Sequence, residues 1–278
     1  MTIIEIPGFD LALTADSGQC FRFGAVGPQR WQLVAKGRVL HIEDLGAGRF
    51  AFDCEPAELE ALWRPYFDLD RDYLQIHSRV PEADTFLSAA LAYAGGLRIL
   101  RQEPFEALIC FIISQRKNIP AIKRCVEALC QRFGQPIADN MHAFPSPQAL
   151  AGASLEALNA CGLGYRSGYI QQSSRLVAEG EADLQAMARL PDEALQVALM
   201  QLPGAGVKVA NCAMLFGFHR VGAFPRDVWI DRVIDRAYGG DFPLAEYEGV
   251  AGIIQQYLFC YARGPGLTFL QQDKEKAR

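Results

Sequence analysis

The stretch Leu202-Pro-Gly-Ala-Gly-Val-Lys-Val-Ala210 constrains this chain more than any other. A Gly-x-Gly turn between two helical patterns forces a tight hairpin. It also leaves bare backbone N–H groups at the start of the second helix, a natural seat for a phosphate. Lys208 follows two residues after Gly206. Asp227 stands nineteen residues beyond it, in Phe-Pro-Arg-Asp-Val-Trp, at the position of a helix N-cap.

The surrounding pattern divides the chain. To about residue 54 it reads as short strands: Trp31-Gln-Leu-Val-Ala, Val39-Leu-His-Ile and Arg49-Phe-Ala-Phe, separated by Gly-rich links. From Pro56 onward the period is helical, with Leu59, Leu62, Trp63 and Tyr66 on one face. Phe105 to Gln115 is almost wholly apolar and predicts a central, buried helix. The next helix starts at Pro120, carries an apolar stripe from Ile122 to Phe133 and stops at Gly134. A further turn lies at Gly162-Leu-Gly-Tyr-Arg166. The expected fold is α+β. A small antiparallel β domain over 1–80 precedes an all-helical domain over 81–270 that contains the hairpin, and a charged tail covers 271–278.

Composition narrows the class. No apolar run reaches the roughly 18 residues of a membrane span, and no basic leader precedes Glu5 and Asp10, so a cytoplasmic protein is expected. The formal net charge of −5 argues against broad electrostatic capture of nucleic acid. It leaves room for a local basic face, and Arg116, Lys117, Lys123 and Arg124 form one candidate cluster. The eight cysteines are scattered with no Cys-x-x-Cys pair, which suits reduced, buried thiols and offers no spacing for zinc.

Lys208 and Asp227 define a chemistry. Lysine is a poor nucleophile while protonated, and the positive end of a helix dipole favours the neutral amine. Such an amine attacks an electrophilic carbon and forms a Schiff base. An ionised carboxylate fixed by N-cap bonds stabilises a developing oxocarbenium ion. Taken singly, Lys208 reads as an exposed phosphate contact and Asp227 as a plain cap. The pairing is what changes the odds.

These residues resemble the helix-hairpin-helix Gly/Pro-Asp signature of the DNA base-excision glycosylases in its lysine-bearing form. Further segments are similar to the 8-oxoguanine DNA glycosylase family, covering about Ser17 to Arg263. They are Ser17-Gly-Gln-Cys-Phe-Arg-Phe23, Phe111-Ile-Ile-Ser-Gln-Arg-Lys-Asn-Ile119, Gly164-Tyr-Arg166 and Gln255-Gln-Tyr-Leu-Phe259. With only Cys260 beyond Cys212, the iron–sulfur branches of endonuclease III and adenine glycosylase are disfavoured.

The resemblance implies a bifunctional glycosylase/AP lyase that excises 8-oxoguanine from duplex DNA. Lys208 attacks the anomeric carbon, Asp227 stabilises the charged transition state, and β-elimination nicks the strand. The Gly18 carbonyl accepts from N7–H of the lesion, with Gln19 beside it. Cys212 and Phe259 sandwich the flipped base, and Gln255 reads its Watson–Crick edge, unless a register change by one gives that role to Gln256. DNA contacts fall to Arg116, Lys117 and Asn118 in the intercalating loop. Tyr165 and Arg166 contribute from the second turn, Gly204, Gly206 and Val207 from the hairpin, and Trp229 beyond Asp227.

Three departures stand out. Arg116 occupies the wedge position, where eukaryotic members have an Asn-rich run. An arginine that recognises the orphaned cytosine aligns with Ala121, leaving Arg166 as the candidate for that task. Trp229 replaces a phosphate-binding histidine. No cofactor is required, although the family often holds a structural cation on hairpin carbonyls. The expected partner is double-stranded DNA containing an oxidised purine, and a monomer is expected. The alternatives are an alkyl-base glycosylase of the same superfamily, which usually lacks the lysine, and a non-catalytic hairpin that only binds DNA.

Overall fold

The computed structural model describes residues 1–138 and 140–268; the tail expected at 271–278 lies outside them. Five antiparallel strands form the N-terminal sheet: β1 (Thr2–Glu5), β2 (Phe23–Gly27), β3 (Arg30–Ala35), β4 (Arg38–Gly46) and β5 (Arg49–Phe52), in the order β1-β5-β4-β3-β2. The β3–β4 turn is the two residues Lys36-Gly37, both with positive φ (55° and 67°). Such a turn matches the twist of the flanking strands and fixes the register Ala35↔Arg38 through Arg30↔Glu43. With that register set, Leu33, Leu40, Ile42, Phe50 and Phe52 fall inside. The sequence pattern missed both edge strands, β2, which has Phe23 alone buried, and β1. β1 lies at the sheet edge against β5 and alternates only between half-buried and exposed positions, so its periodicity is faint.

Residues 56–66 follow as one short helical run that covers the sheet. Its middle, Leu59–Trp63, has π-type bonding. The wider spacing brings Trp63 under Glu58, whose Oε1 accepts from the indole Nε1 at 3.0 Å. Leu59, Trp63, Tyr66 and Phe67 complete this smaller core.

The helices of nine residues or more among the described residues are α1 (Thr85–Ala94), α2 (Pro104–Ser114), α3 (Ile119–Phe133), α4 (Arg166–Ala178), α5 (Asp192–Met200), α6 (Val207–Phe216), α7 (Val228–Ala237) and α8 (Ala251–Arg263). The fold is therefore α+β. α2 is central, as its composition implies, with Glu106 to Ile113 all buried. α3 is capped by Asn118, which accepts from Ala121 N. It ends at Gly134, where a Cβ would lie 2.0 Å from the Ala143 carbonyl oxygen, so only glycine fits that approach. No described helix is long and apolar enough to cross a membrane.

Gln19 joins the two parts, and here the structure corrects the sequence expectation. Its side chain does not line a base pocket. It is fully buried, with Nε2 donating to Ser17 Oγ and Arg98 O and Oε1 accepting from Leu100 N. Gln102 Nε2 in turn donates to its carbonyl. These bonds fix the strand domain to the segment that leads into α2.

Candidate active site

The hairpin places the lysine. α5 ends, the chain turns through Gly204 at φ +83°, and α6 begins after Gly206. A Cβ on Gly204 would come within 2.9 Å of the Tyr169 ring, so both the turn and the packing demand glycine. No side chain caps α6, so its first N–H groups, beside the exposed Val207, are available to donate to a phosphate. One residue later Lys208 points inward. Its Nζ lies 3.4 Å from Ser114 Oγ, at the end of α2, and 5.1 Å from the Phe111 ring centre.

Asp227 caps α7 from an extended backbone. Its Oδ1 accepts from Trp229 N at 2.9 Å and Ile230 N at 3.0 Å. With one oxygen so anchored, the other remains for the cleft. Two backbone donors hold the carboxylate in place without neutralising it.

Lys208 and Asp227 meet in one cleft of about 650 Å³. Gly18, Cys212, Gln255, Phe259, Trp229, Arg116, Lys117 and Asn118 line it as well, so most of the expected site residues converge. Its apolar wall is aromatic: Phe111 stacks on Phe216 with ring centres 5.2 Å apart, and Phe21 meets Phe111 edge-on. Burial pushes the Cys212 thiol up, against the pull of Lys208, which leaves it a neutral, polarisable surface. Gly18 sits at φ +78°, and a Cβ there would approach Ile119 Cδ1 to 3.0 Å and Phe259 to 3.7 Å. Backbone alone can occupy that edge.

Several lining residues escaped the sequence reading. Phe21, Phe111 and Ser114 lie inside quoted segments, but their chemistry gave no signal apart from core packing. Phe216 falls two turns after Lys208 on α6; Gln256, named from sequence as the alternative to Gln255, lines the cleft together with it. Arg263 follows Phe259 by one turn of α8 and stacks its guanidinium on that ring at 5.1 Å. The i, i+4 spacing was legible.

The remaining candidates surround the cleft. Arg116 is exposed with φ +52°, and its loop is held from both sides. Gln115 Nε2 donates to Ile112 O and Gly204 O, while Lys117 Nζ donates to Gly162 O at 3.0 Å. Tyr165 is exposed beside it and meets Tyr169 edge-on. Arg166 departs from expectation. It is buried, its guanidinium donates to Leu163 O and Gln115 O, and its plane stacks on Tyr165 at 4.3 Å. It braces the loop and offers no free fork to an orphaned base. Trp229 is half-buried at the rim with the Arg232 guanidinium 5.4 Å from its ring centre.

For a cation on the hairpin, the carbonyls of Leu202, Pro203 and Gly204 already accept from Ala205 N, Ser173 Oγ and Gln115 Nε2. These bonds hold the turn, and each oxygen keeps a second lone pair.

Comparison with known proteins agrees with this geometry. The family model described as 8-oxoguanine DNA glycosylase, N-terminal domain, matches residues 2–108. The model for HhH-GPD superfamily base excision DNA repair proteins matches residues 109–246. A probable N-glycosylase/DNA lyase of Methanothermobacter thermautotrophicus is 31% identical, over 95% of this chain and 96% of its own length. The solved structure of MBOgg1 in complex with a low affinity DNA ligand is 33% identical with a TM-score of 0.89, covering 95% of this chain and 96% of that one. The Clostridium acetobutylicum 8-oxoguanine glycosylase/lyase, in complex with dsDNA containing cytosine opposite 8-oxoG, is 29% identical with a TM-score of 0.88, covering 96% and 99%. Cleft, hairpin and both domain matches thus converge, and the chain belongs to the 8-oxoguanine DNA glycosylase family.

Proposed function

We infer that this protein excises 8-oxoguanine from duplex DNA and then cleaves the strand at the resulting site. The observation that carries this reading is the placement of Lys208 and Asp227 on the walls of one cleft whose other walls are aromatic rings, a buried thiol and bare glycine backbone.

A base inside a duplex cannot reach such a cleft, so the nucleotide must turn out of the stack. The loop bearing Arg116 fills the gap, and the N–H groups at the start of α6 hold a backbone phosphate. In the cleft, Phe259 and Cys212 take the two faces of the base. The Gly18 carbonyl accepts from N7–H, which 8-oxoguanine has; guanine instead carries a lone pair there that repels it. Gln255 meets the Watson–Crick edge.

The Lys208 nitrogen forms a bond to C1′ as the glycosidic bond breaks, and the electron pair of that bond leaves with the base. Positive charge develops on the sugar, and the fixed Asp227 carboxylate stabilises it. Opening of the sugar ring gives the imine. Loss of a C2′ proton then expels the 3′ phosphate, so removal of the base and nicking of the strand share one lysine. This separates the protein from the alkyl-base glycosylases, which usually lack such a lysine.

The test is a duplex carrying a single 8-oxoguanine, with base release and strand cleavage scored separately. The wild type is expected to do both. Asp227→Asn is expected to slow base release by about 10²–10³-fold. An intact strand after complete base release by the wild type would contradict the lyase step.

A further inference from the structure

Gln255 and Gln256 are consecutive on α8, both are buried and both line the cleft. Gln256 Nε2 donates to Gln255 Oε1 at 2.8 Å. That bond occupies the Gln255 carbonyl and leaves its amide nitrogen as the group available to a base. Gln256 Oε1, at a residue only 4% exposed, has no hydrogen-bond partner among the described residues. Buried acceptors are nearly always satisfied, so this one calls for an explanation.

A half-turn of both amides about their last torsion preserves the pair. Gln255 Nε2 then donates to Gln256 Oε1, and Gln255 Oε1 faces the cleft. Each arrangement keeps one hydrogen bond between the two side chains and leaves one Gln256 amide atom unpartnered. Neither is favoured by the protein on that count, so the base in the cleft can decide between them.

We propose that Gln256 is a positioning residue that pairs with the Gln255 amide in either orientation, so that the pair presents a donor or an acceptor to match the flipped base. This rests on the reading of the cleft as a pocket for a damaged purine. A guanine-type lesion carries N1–H and a 2-amino group on its Watson–Crick edge and takes the acceptor arrangement. An adenine-type lesion carries an unprotonated N1 and takes the donor arrangement. The site therefore admits 8-oxopurines with either edge.

The experiment is single-turnover excision of 8-oxoguanine and 8-oxoadenine by the wild type, Gln256→Glu and Gln256→Met. Borohydride trapping on an abasic site, which has no base edge to read, runs in parallel. The wild type is expected to excise both lesions at rates within about tenfold of each other. The Gln256→Glu carboxylate only accepts. It holds the Gln255 nitrogen inward, so 8-oxoguanine excision stays within about threefold of wild type and 8-oxoadenine excision falls about tenfold or more. Gln256→Met, which frees Gln255, is expected to lower both by similar factors. Abasic-site trapping is expected to be equal in all three.

An unchanged ratio of the two lesions in Gln256→Glu, with trapping intact, would overturn this inference alone. A parallel loss of trapping in both variants would mark Gln256 as a packing residue and overturn it too. No trapping by the wild type would remove the functional reading, and this inference with it.

Discussion

At the scale of single residues, the site is built from groups whose freedom has been removed. Asp227 is fixed by two backbone donors, and Lys208 lies between a hydroxyl and an aromatic ring. Gly18 is held in a conformation that L side chains rarely adopt, with Ile119 against it. Gly18→Ala is expected to cost about 1–2 kcal/mol from backbone strain. It should also slow 8-oxoguanine release on the order of 10²-fold by displacing the base. Cleavage at a preformed abasic site, which does not use that edge, should stay near wild type; comparing the two rates checks this. The Lys208–Asp227 pairing was legible in the sequence from residue type and spacing, and Cys212 and Phe259 only through the family resemblance; the structure brings all four to one cleft. The placement of Gln19 and Arg166 was not legible. Both lie in motifs that adjoin the site, and only tertiary packing shows that their side chains turn away to bind backbone. Gln256 was visible only as an alternative register for Gln255, since a side-chain pair on adjacent positions has no periodic signature.

At the scale of elements, two tight turns and one loop form the edge that the proposed function turns toward DNA. The loop after α2 is bonded to the hairpin through Gln115 and to the 162–166 turn through Lys117 and Arg166. These bonds spend the Arg166 guanidinium, and Ala121 supplies none. Of the two positions the resemblance points to for the orphaned base, 121 and 166, neither therefore offers a free bidentate donor of the kind that distinguishes bases. Excision rates opposite cytosine and opposite adenine are expected to be comparable; a strong preference for cytosine would show that another group reads the opposite base. α2 carries a second consequence. Burial raises the Glu106 carboxyl to about 7, against the nearby Arg22. The folded state then holds a proton that the unfolded chain releases between about pH 4.5 and 7, so stability falls as pH rises through that window. The loss is on the order of 2–3 kcal/mol. Glu106→Gln is expected to remove this slope, measured as urea midpoints at pH 5 and pH 8. The long, strongly patterned helices and central strands could be read from periodicity. The edge strands β1 and β2 and the π-type turn at Leu59–Trp63 could not, because partial burial and local bonding leave no clear period.

At the scale of the whole molecule, an acidic protein acts on a polyanion by concentrating its few useful cations. Lys208, Arg116, Lys117 and Arg263 gather around one cleft, with Asp227 as the carboxylate among its lining residues. The cleft lies where the two parts of the chain meet: Gly18 and Phe21 come from the strand domain and Lys208 and Asp227 from the helices. Gln19 and a buried cluster fix that meeting. In the cluster His219 Nε2 lies 3.1 Å from Asp68 Oδ1, and Tyr73 OH donates to Oδ2. Burial alone would raise the Asp68 carboxyl, but hydrogen bonds from His219 and Arg71 outweigh it and hold it below its usual range. Joining the two parts in this way keeps Gly18, the proposed base-recognition edge, in register with Lys208, the proposed nucleophile. The central claim is that Lys208 is that nucleophile, and borohydride reduction on a duplex with one 8-oxoguanine tests it most directly. A covalent protein–DNA adduct with the wild type and none with Lys208→Gln is the expected result. An equal adduct with Lys208→Gln would assign the Schiff base to another amine and contradict the account.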